Sequence, residues 1–164
     1  GTVFATAGLD GVARIREVAT GRLDHELRGH TKAVTGVAFN NDASLLATSS
    51  ADFDVRVWDV PSGADGPVLK PAFGRVSAVA FSPDGRWLVS ANPISAALFH
   101  MPAGTFVGYL YGPSGTVVGV GFEPNNRVIR AASLDGTVRG YDCLICGTLP
   151  DLLRLADERI AANR

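Results

Sequence analysis

The amino-acid sequence predicts an all-β fold built from repeated antiparallel sheets, and three observations support this prediction. Similar segments recur at steps of 42 and 41 residues, at 34–39, 76–81 and 117–122. Shorter apolar or alternating runs follow each segment at regular intervals, as strands do. Glycine makes up 19 of 164 residues, an excess that supplies tight turns. A period near 40 residues with about four strands per repeat is typical of β-propeller blades.

The predicted elements follow one order within each repeat. The recurring segment is the first strand, and it ends in a turn rich in Asn, Asp, Pro and Gly, as at 82–85. A second apolar run, such as 45–48, and an alternating third run, such as 55–59, come next. The start of the chain joins the same repeat because residues 5–11 align with residues 47–53.

These alignments predict four units over residues 1–142, or about three and a half four-stranded blades. The units are a partial blade at 1–28, a blade at 29–70, a degenerate blade at 71–111, and a last blade at 112–142 that lacks its outer strand. We therefore expect further blades N-terminal to this segment in the parent chain. We also expect the isolated chain to associate through its exposed sheet edges.

The last segment, residues 143–164, has a different pattern. Its apolar side chains recur at helical spacing, at Leu149, Leu152, Leu153, Ala156 and Ile160. This spacing predicts a short amphipathic helix whose apolar face docks on the propeller rim or on a partner.

Cys143 and Cys146 form a Cys-x-x-Cys motif at the start of this segment. A single motif of this kind, without a second cysteine or histidine pair, favours ordinary buried thiols. A labile disulfide and an intermolecular metal site remain alternatives.

One repeat carries a recognisable signature. Gly29-His30, Asp52 and Trp58-Asp59 resemble the GH…D…WD pattern of the WD-repeat (WD40) β-propeller family. The resemblance extends over residues 1–142. It implies that His30, Thr48, Asp52 and Trp58 form a structural hydrogen-bonded tetrad, and these side chains offer matching donors and acceptors.

The third repeat departs from this signature. Pro71-Ala72 replaces Gly-His, Ile94 stands at the Asp position and His100 at the Trp position, and Ser90 alone is retained. We therefore expect apolar packing alone to hold this repeat.

Several functions are disfavoured by the composition. A formal net charge of −1 argues against a general nucleic-acid binder. Residues 87–122 contain no Asp, Glu, Lys or Arg, but their Pro and Gly residues interrupt any membrane-spanning helix. The spacing of the histidines suits no zinc site, and no phosphate-binding loop occurs. We therefore expect no catalysis, no catalytic or cofactor-binding residues, no metal and no cofactor.

The resemblance implies a non-catalytic interaction, scaffold or sensor module of a larger cytoplasmic protein, which binds protein partners through its loop faces. The candidate partner-binding residues are Leu9, Lys32, Ala51, Arg75 and Leu134. The alternatives are a propeller-type enzyme of hydrolase or lactonase type and a purely structural spacer.

The end of the chain, from Tyr-Asp-Cys-x-x-Cys-Gly onward, is similar to the endings of actinobacterial multidomain proteins. Some of these carry a STAND-type ATPase or a transcription-regulator domain upstream. The excess of Arg over Lys suits a GC-rich bacterial genome.

Overall fold

The structure is a computed structural model that describes residues 1–71, 74–112, 114–143 and 146. Its regular elements form four antiparallel sheets, each a meander of consecutive strands. Sheet 1 contains β1 (Val3–Ala7), β2 (Val12–Glu17) and β3 (Leu23–Arg28). Sheet 2 contains β4 (Val34–Phe39), β5 (Leu45–Ser50), β6 (Val55–Asp59) and β7 (Asp65–Leu69). Sheet 3 contains β8 (Ala78–Phe81), β9 (Trp87–Asn92), β10 (Ser95–His100) and β11 (Thr105–Leu110). Sheet 4 contains β12 (Val117–Phe122), β13 (Val128–Ser133) and β14 (Val138–Asp142).

The prediction of an all-β fold is confirmed, since every regular element in the described ranges is a strand. The helix predicted within 143–164 lies outside the described residues. The uncharged stretch 87–122 contributes β9 to β12, and the described part of the chain contains no helix long and apolar enough to span a bilayer.

Apolar side chains from successive sheets pack against one another. Trp58 and Leu46 of sheet 2 lie in one cluster with Ile15 and Leu27 of sheet 1. A second cluster joins sheets 2 and 3, and two further clusters join sheets 3 and 4. Because side chains alternate between the faces of a strand, the central strands of sheets 2 and 3 contribute to the cores on both sides.

The first strands of sheets 2, 3 and 4 lie side by side. β4 contacts β8, and β8 contacts β12. Hydrogen bonds also cross between sheets here, because the Ser77 hydroxyl donates to the Val117 carbonyl at 2.7 Å. The expectation that apolar packing alone holds the third repeat is therefore wrong.

The strand register also corrects the alignment of the third repeat. In sheet 2, Trp58 lies opposite Leu46. Leu88 is the residue of sheet 3 that corresponds to Leu46, and it lies opposite Phe99. The hairpin turn of sheet 3 is one residue shorter, so Phe99 and not His100 takes the Trp position. Phe99 is buried, whereas His100 is exposed and its ring contacts Trp87 edge-on.

Cys143 and Cys146 are bonded to each other as a disulfide. The interpretation of both as ordinary free thiols is therefore wrong, and the disulfide alternative is the one that the structure contains. Both cysteines are buried in the cluster between sheets 3 and 4, beside Leu98 and Ile129. The backbones of the two cysteines are also joined, because the Cys146 N–H group donates to the Cys143 carbonyl.

Candidate interaction surface

Four side chains of sheet 2 form a continuous hydrogen-bonded chain. The Trp58 Nε1–H group donates to Thr48 Oγ1 at 2.9 Å, and Thr48 Oγ1 lies 2.8 Å from His30 Nε2. His30 Nδ1 lies 2.9 Å from the Asp52 carboxylate. One assignment of protons satisfies every contact: the Thr48 hydroxyl donates to Nε2, and Nδ1–H donates to Asp52. Both ring nitrogens of His30 are thus occupied, which leaves neither available to a substrate.

This chain of hydrogen bonds fixes the turn between β5 and β6. The Asp52 carboxylate also accepts hydrogen bonds from the backbone N–H groups of Thr31 and Asp54. Burial acts to raise the pKa of Asp52. The two N–H groups and the His30 ring outweigh this effect, so the pKa of Asp52 lies below its ordinary value. The charged carboxylate therefore holds the turn and the entry to β4 together.

A carboxylate also organises the corresponding turns of sheets 1 and 4. Asp135 accepts hydrogen bonds from Thr137 and from Ser114, both backbone and side chain. These donors, first Thr137 and then Ser114, hold the pKa of Asp135 well below its usual range. Asp10 binds the Val12 N–H group and the Arg14 guanidinium.

In sheet 3 an amide replaces the carboxylate. Asn92 Oδ1 accepts from the N–H and the hydroxyl of Ser95. The Ser90 hydroxyl, which stands at the Thr48 position, is buried without a hydrogen-bond partner among the described residues, and the Phe99 side chain at the Trp position offers no N–H group.

These four hairpin turns, β1–β2, β5–β6, β9–β10 and β13–β14, project from the same face of the molecule, here called the hairpin face. The strands that precede them occupy the same place in each sheet. Each of the first two turns is also joined to the next sheet: the Val34 N–H group donates to the Gly8 carbonyl, and the Val76 N–H group to the Ser50 carbonyl.

Each turn of the hairpin face exposes one large apolar side chain. The exposed fractions are 91% for Leu9, 48% for Phe53, 52% for Ile94 and 73% for Leu134. The turns on the opposite face, between first and second strands, instead carry polar residues such as Asn41, Asp84 and Asn125. A regular row of exposed apolar residues on one face is typical of an interaction surface.

Phe53 adopts a backbone conformation that L-residues with side chains rarely adopt. Its φ angle is 80°, and the matching residues in sheets 1 and 4 are Gly11 at 81° and Gly136 at 82°. Glycine adopts this conformation without strain, whereas a residue with a Cβ atom pays roughly 1–2 kcal/mol. Strained residues of this kind are concentrated at functional positions.

The candidate residues from the sequence have different environments. Leu9 and Leu134 are highly exposed, Lys32 and Arg75 are exposed, and Ala51 is half-buried. The Lys32 ammonium lies 5.2 Å from the centre of the Phe53 ring, within cation–π range.

Sequence reasoning missed Phe53 and Ile94 as members of this surface. A signal for Phe53 was present, because it aligns with the glycine of Asp10-Gly11 and Asp135-Gly136. Ile94 carried no comparable signal, since its hairpin has a different length from the others.

The described residues contain no group of three or more His, Cys, Asp or Glu side chains placed to hold a metal ion.

The fold and the hydrogen-bonded chain together indicate the class of protein. The chain consists of successive antiparallel sheets whose first strands are neighbours. A His–Asp–Thr–Trp network fixes one of these sheets. This is the architecture of a β-propeller-like repeat protein.

Comparison with known families agrees with this class. The family model described as WD domain, G-beta repeat matches residues 21–59, 68–95 and 104–142, more than half of the chain. The chain therefore belongs to the WD40 repeat family.

Several characterised proteins are similar to part of the chain. Pre-mRNA-processing factor 19 homolog 2 of Arabidopsis thaliana is 37% identical over 93 residues, which span 55% of this chain and 18% of that protein. Transducin beta-like protein 3 of Bos taurus is 35% identical over 93 residues, spanning 56% of this chain and 12% of the relative. Apoptotic protease-activating factor 1 of Homo sapiens is 35% identical over 99 residues, spanning 56% and 8% respectively. The matched segment is thus less than a fifth of each of these relatives.

Proposed function

We propose that this chain is a non-catalytic protein-interaction module that binds a partner through the hairpin face. The observation that carries the proposal is the exposed apolar side chain on each of the four successive hairpin turns. WD40 repeats generally mediate protein–protein interaction, which supports the same function. The unit boundaries predicted from the sequence (1–28, 29–70, 71–111, 112–142) and a larger, multidomain parent protein are part of this proposal.

The hydrogen-bonded chain of sheet 2 has a supporting role in this function. His30 and Asp52 are engaged with each other and with the backbone, so they position the turn that presents Phe53 and Lys32. A rigid turn loses little conformational entropy on binding, which favours affinity. We therefore assign the tetrad a positioning role and no chemical step.

A quantitative pull-down tests the proposal. The chain with Leu9→Ser, Ile94→Ser and Leu134→Ser should lose the proteins that the wild-type chain retains from a lysate of its own source cells. The control is Val18→Ser, because Val18 is also an exposed apolar residue, at 56%, but lies in the turn between β2 and β3 on the opposite face. Equal retention by the triple variant and the wild type would contradict the proposal, as would turnover of lactone or ester substrates by the folded chain.

A further inference from the structure

We propose that the hairpin face recognises an acidic peptide segment that also carries large apolar side chains. This inference rests on the proposed function and names the chemistry of the partner.

The hairpin face carries exposed cations. Lys32 and Arg75 are exposed in the links that precede the first strands of sheets 2 and 3. Arg139 is exposed at the start of β14, and its side chain lies beside Gly112 in the link before sheet 4. None of the three forms an ion pair with another described residue. Three consecutive sheets thus each present one cation.

Most carboxylates of this face are already hydrogen-bonded or ion-paired within the protein. Asp10 is bound by Arg14 at 2.7 Å. Asp52 is bound by His30, and Asp135 by hydroxyl and backbone N–H groups. Asp54 is the remaining acidic residue in these turns, and its carboxylate has no partner among the described residues. Hydrogen bonds do not cancel the charges of Asp54 and Asp135, but the Asp52 carboxylate is almost buried. The three exposed cations therefore outnumber the exposed carboxylates that lack an ion pair in these turns, which favours acidic groups.

Cations and exposed apolar side chains alternate on this face. Lys32 lies over the Phe53 ring, so a cation and an exposed apolar side chain are immediate neighbours in sheet 2. Arg75 precedes sheet 3, whose hairpin turn exposes Ile94. A partner that satisfies both kinds of group needs carboxylates interspersed with Leu, Ile or Phe side chains.

A peptide fits this surface better than a nucleic acid does. Binding of single-stranded RNA relies on open aromatic faces on which bases stack. Three of the four side chains exposed by the hairpin turns are aliphatic, and Lys32 covers one face of the Phe53 ring. Tyr111, in the link before sheet 4, is a further exposed aromatic residue, and one such ring gives no row of stacking platforms.

Selection from a display library of random 12-residue peptides on the full 164-residue chain tests the inference. We expect the enriched peptides to combine Asp or Glu with Leu, Ile or Phe, and their binding to weaken as salt concentration rises. Labelled synthetic copies of these peptides then give dissociation constants for a set of variants. Lys32→Glu with Arg75→Glu should weaken binding about tenfold, because two exposed attractions become repulsions.

A matched variant controls for net charge. Arg86 is exposed in the turn between β8 and β9 on the opposite face, so Arg86→Glu should leave binding unchanged. The urea midpoint of each variant verifies that it remains folded.

The outcomes separate this inference from the proposed function. If selected peptides lack acidic residues but lose binding in Leu9→Ser with Leu134→Ser, the partner chemistry is wrong and the interaction surface stands. If the hairpin-face variants bind as wild type does while Arg86→Glu or Val18→Ser does not, both proposals are wrong. Absence of any enriched peptide, or tight binding of a poly(U) oligonucleotide that Lys32→Glu abolishes, would overturn the acidic-peptide inference.

Discussion

Replacement of Phe53 tests whether this exposed residue serves partner binding or the stability of the fold. The backbone of Phe53 has a φ of 80°, which costs a residue with a Cβ atom roughly 1–2 kcal/mol. Phe53→Gly removes this strain. It also removes the half-buried ring, worth about 1 kcal/mol of apolar burial, and the contact with Lys32, worth about 0.5–1 kcal/mol.

The variant also raises the conformational entropy of the unfolded chain, at about 0.5–1 kcal/mol. The three losses together exceed the relief of strain, so Phe53→Gly should be less stable than the wild type by about 1 kcal/mol. Phe53→Ala loses the ring and keeps the strain. We therefore expect it to be less stable than Phe53→Gly by about 0.5–1 kcal/mol, the reverse of the order found where φ is negative.

Urea unfolding followed by tryptophan fluorescence measures both variants. The control is Gly136→Ala, because Gly136 has the same backbone conformation at 82° and open space around its missing Cβ atom. It should lose about 0.5–1 kcal/mol, because the strain exceeds the entropy that alanine removes from the unfolded chain. An alanine variant at residue 53 as stable as the glycine variant would refute the strain argument. Unchanged peptide binding by Phe53→Gly would refute the role of Phe53 in display.

Three further predictions concern the groups that hold the fold. His30→Ala should lower the free energy of unfolding by about 1–3 kcal/mol, because it leaves buried partners unsatisfied. Asp10→Ala should destabilise less, because the ion pair that it removes is exposed to solvent. Urea midpoints that rank the two variants in the opposite order would contradict this prediction. The pKa of Asp135 lies below that of an ordinary carboxyl group, so ionised Asp135 stabilises the fold above about pH 4, and this stabilisation is lost as the pH falls. Asp135→Asn should therefore show a shallower decline in urea midpoint than the wild type between about pH 5 and about pH 2. Parallel curves for the two proteins would count against this prediction. Replacement of Cys143 and Cys146 by Ser should destabilise the fold by about 2 kcal/mol, because the disulfide restricts the unfolded chain by about this amount for a loop of this length. Dithiothreitol should lower the urea midpoint of the wild type and leave that of the Ser variant unchanged.

The all-β architecture was predictable because its signals are local and repeated. The apolar period of about 42 residues and the turn residues after each first strand specify where strands begin and end. The members of the tetrad were predictable through the family resemblance, since their spacing in sheet 2 matches one signature.

Two features could not be derived from the sequence, and each has a physical reason. His100 was assigned to the Trp position because alignment at a fixed offset assumes turns of equal length. The β9–β10 hairpin is one residue shorter, which shifts Phe99 into that position. The pairing of Cys143 and Cys146 depends on the distance between their Cα atoms, here 5.2 Å, which the sequence spacing alone does not specify.

Hydrogen–deuterium exchange on the chain, with and without a bound peptide from the selection, tests the central claim most directly. The account predicts that the peptide slows exchange in the hairpin turns at 8–11, 51–54, 93–94 and 134–137, while the turns at 40–44, 82–86 and 123–127 exchange as in the free chain. Protection confined to the second set of turns, or to the outer strands β3, β7 and β11, would show that the partner binds elsewhere and would contradict the account.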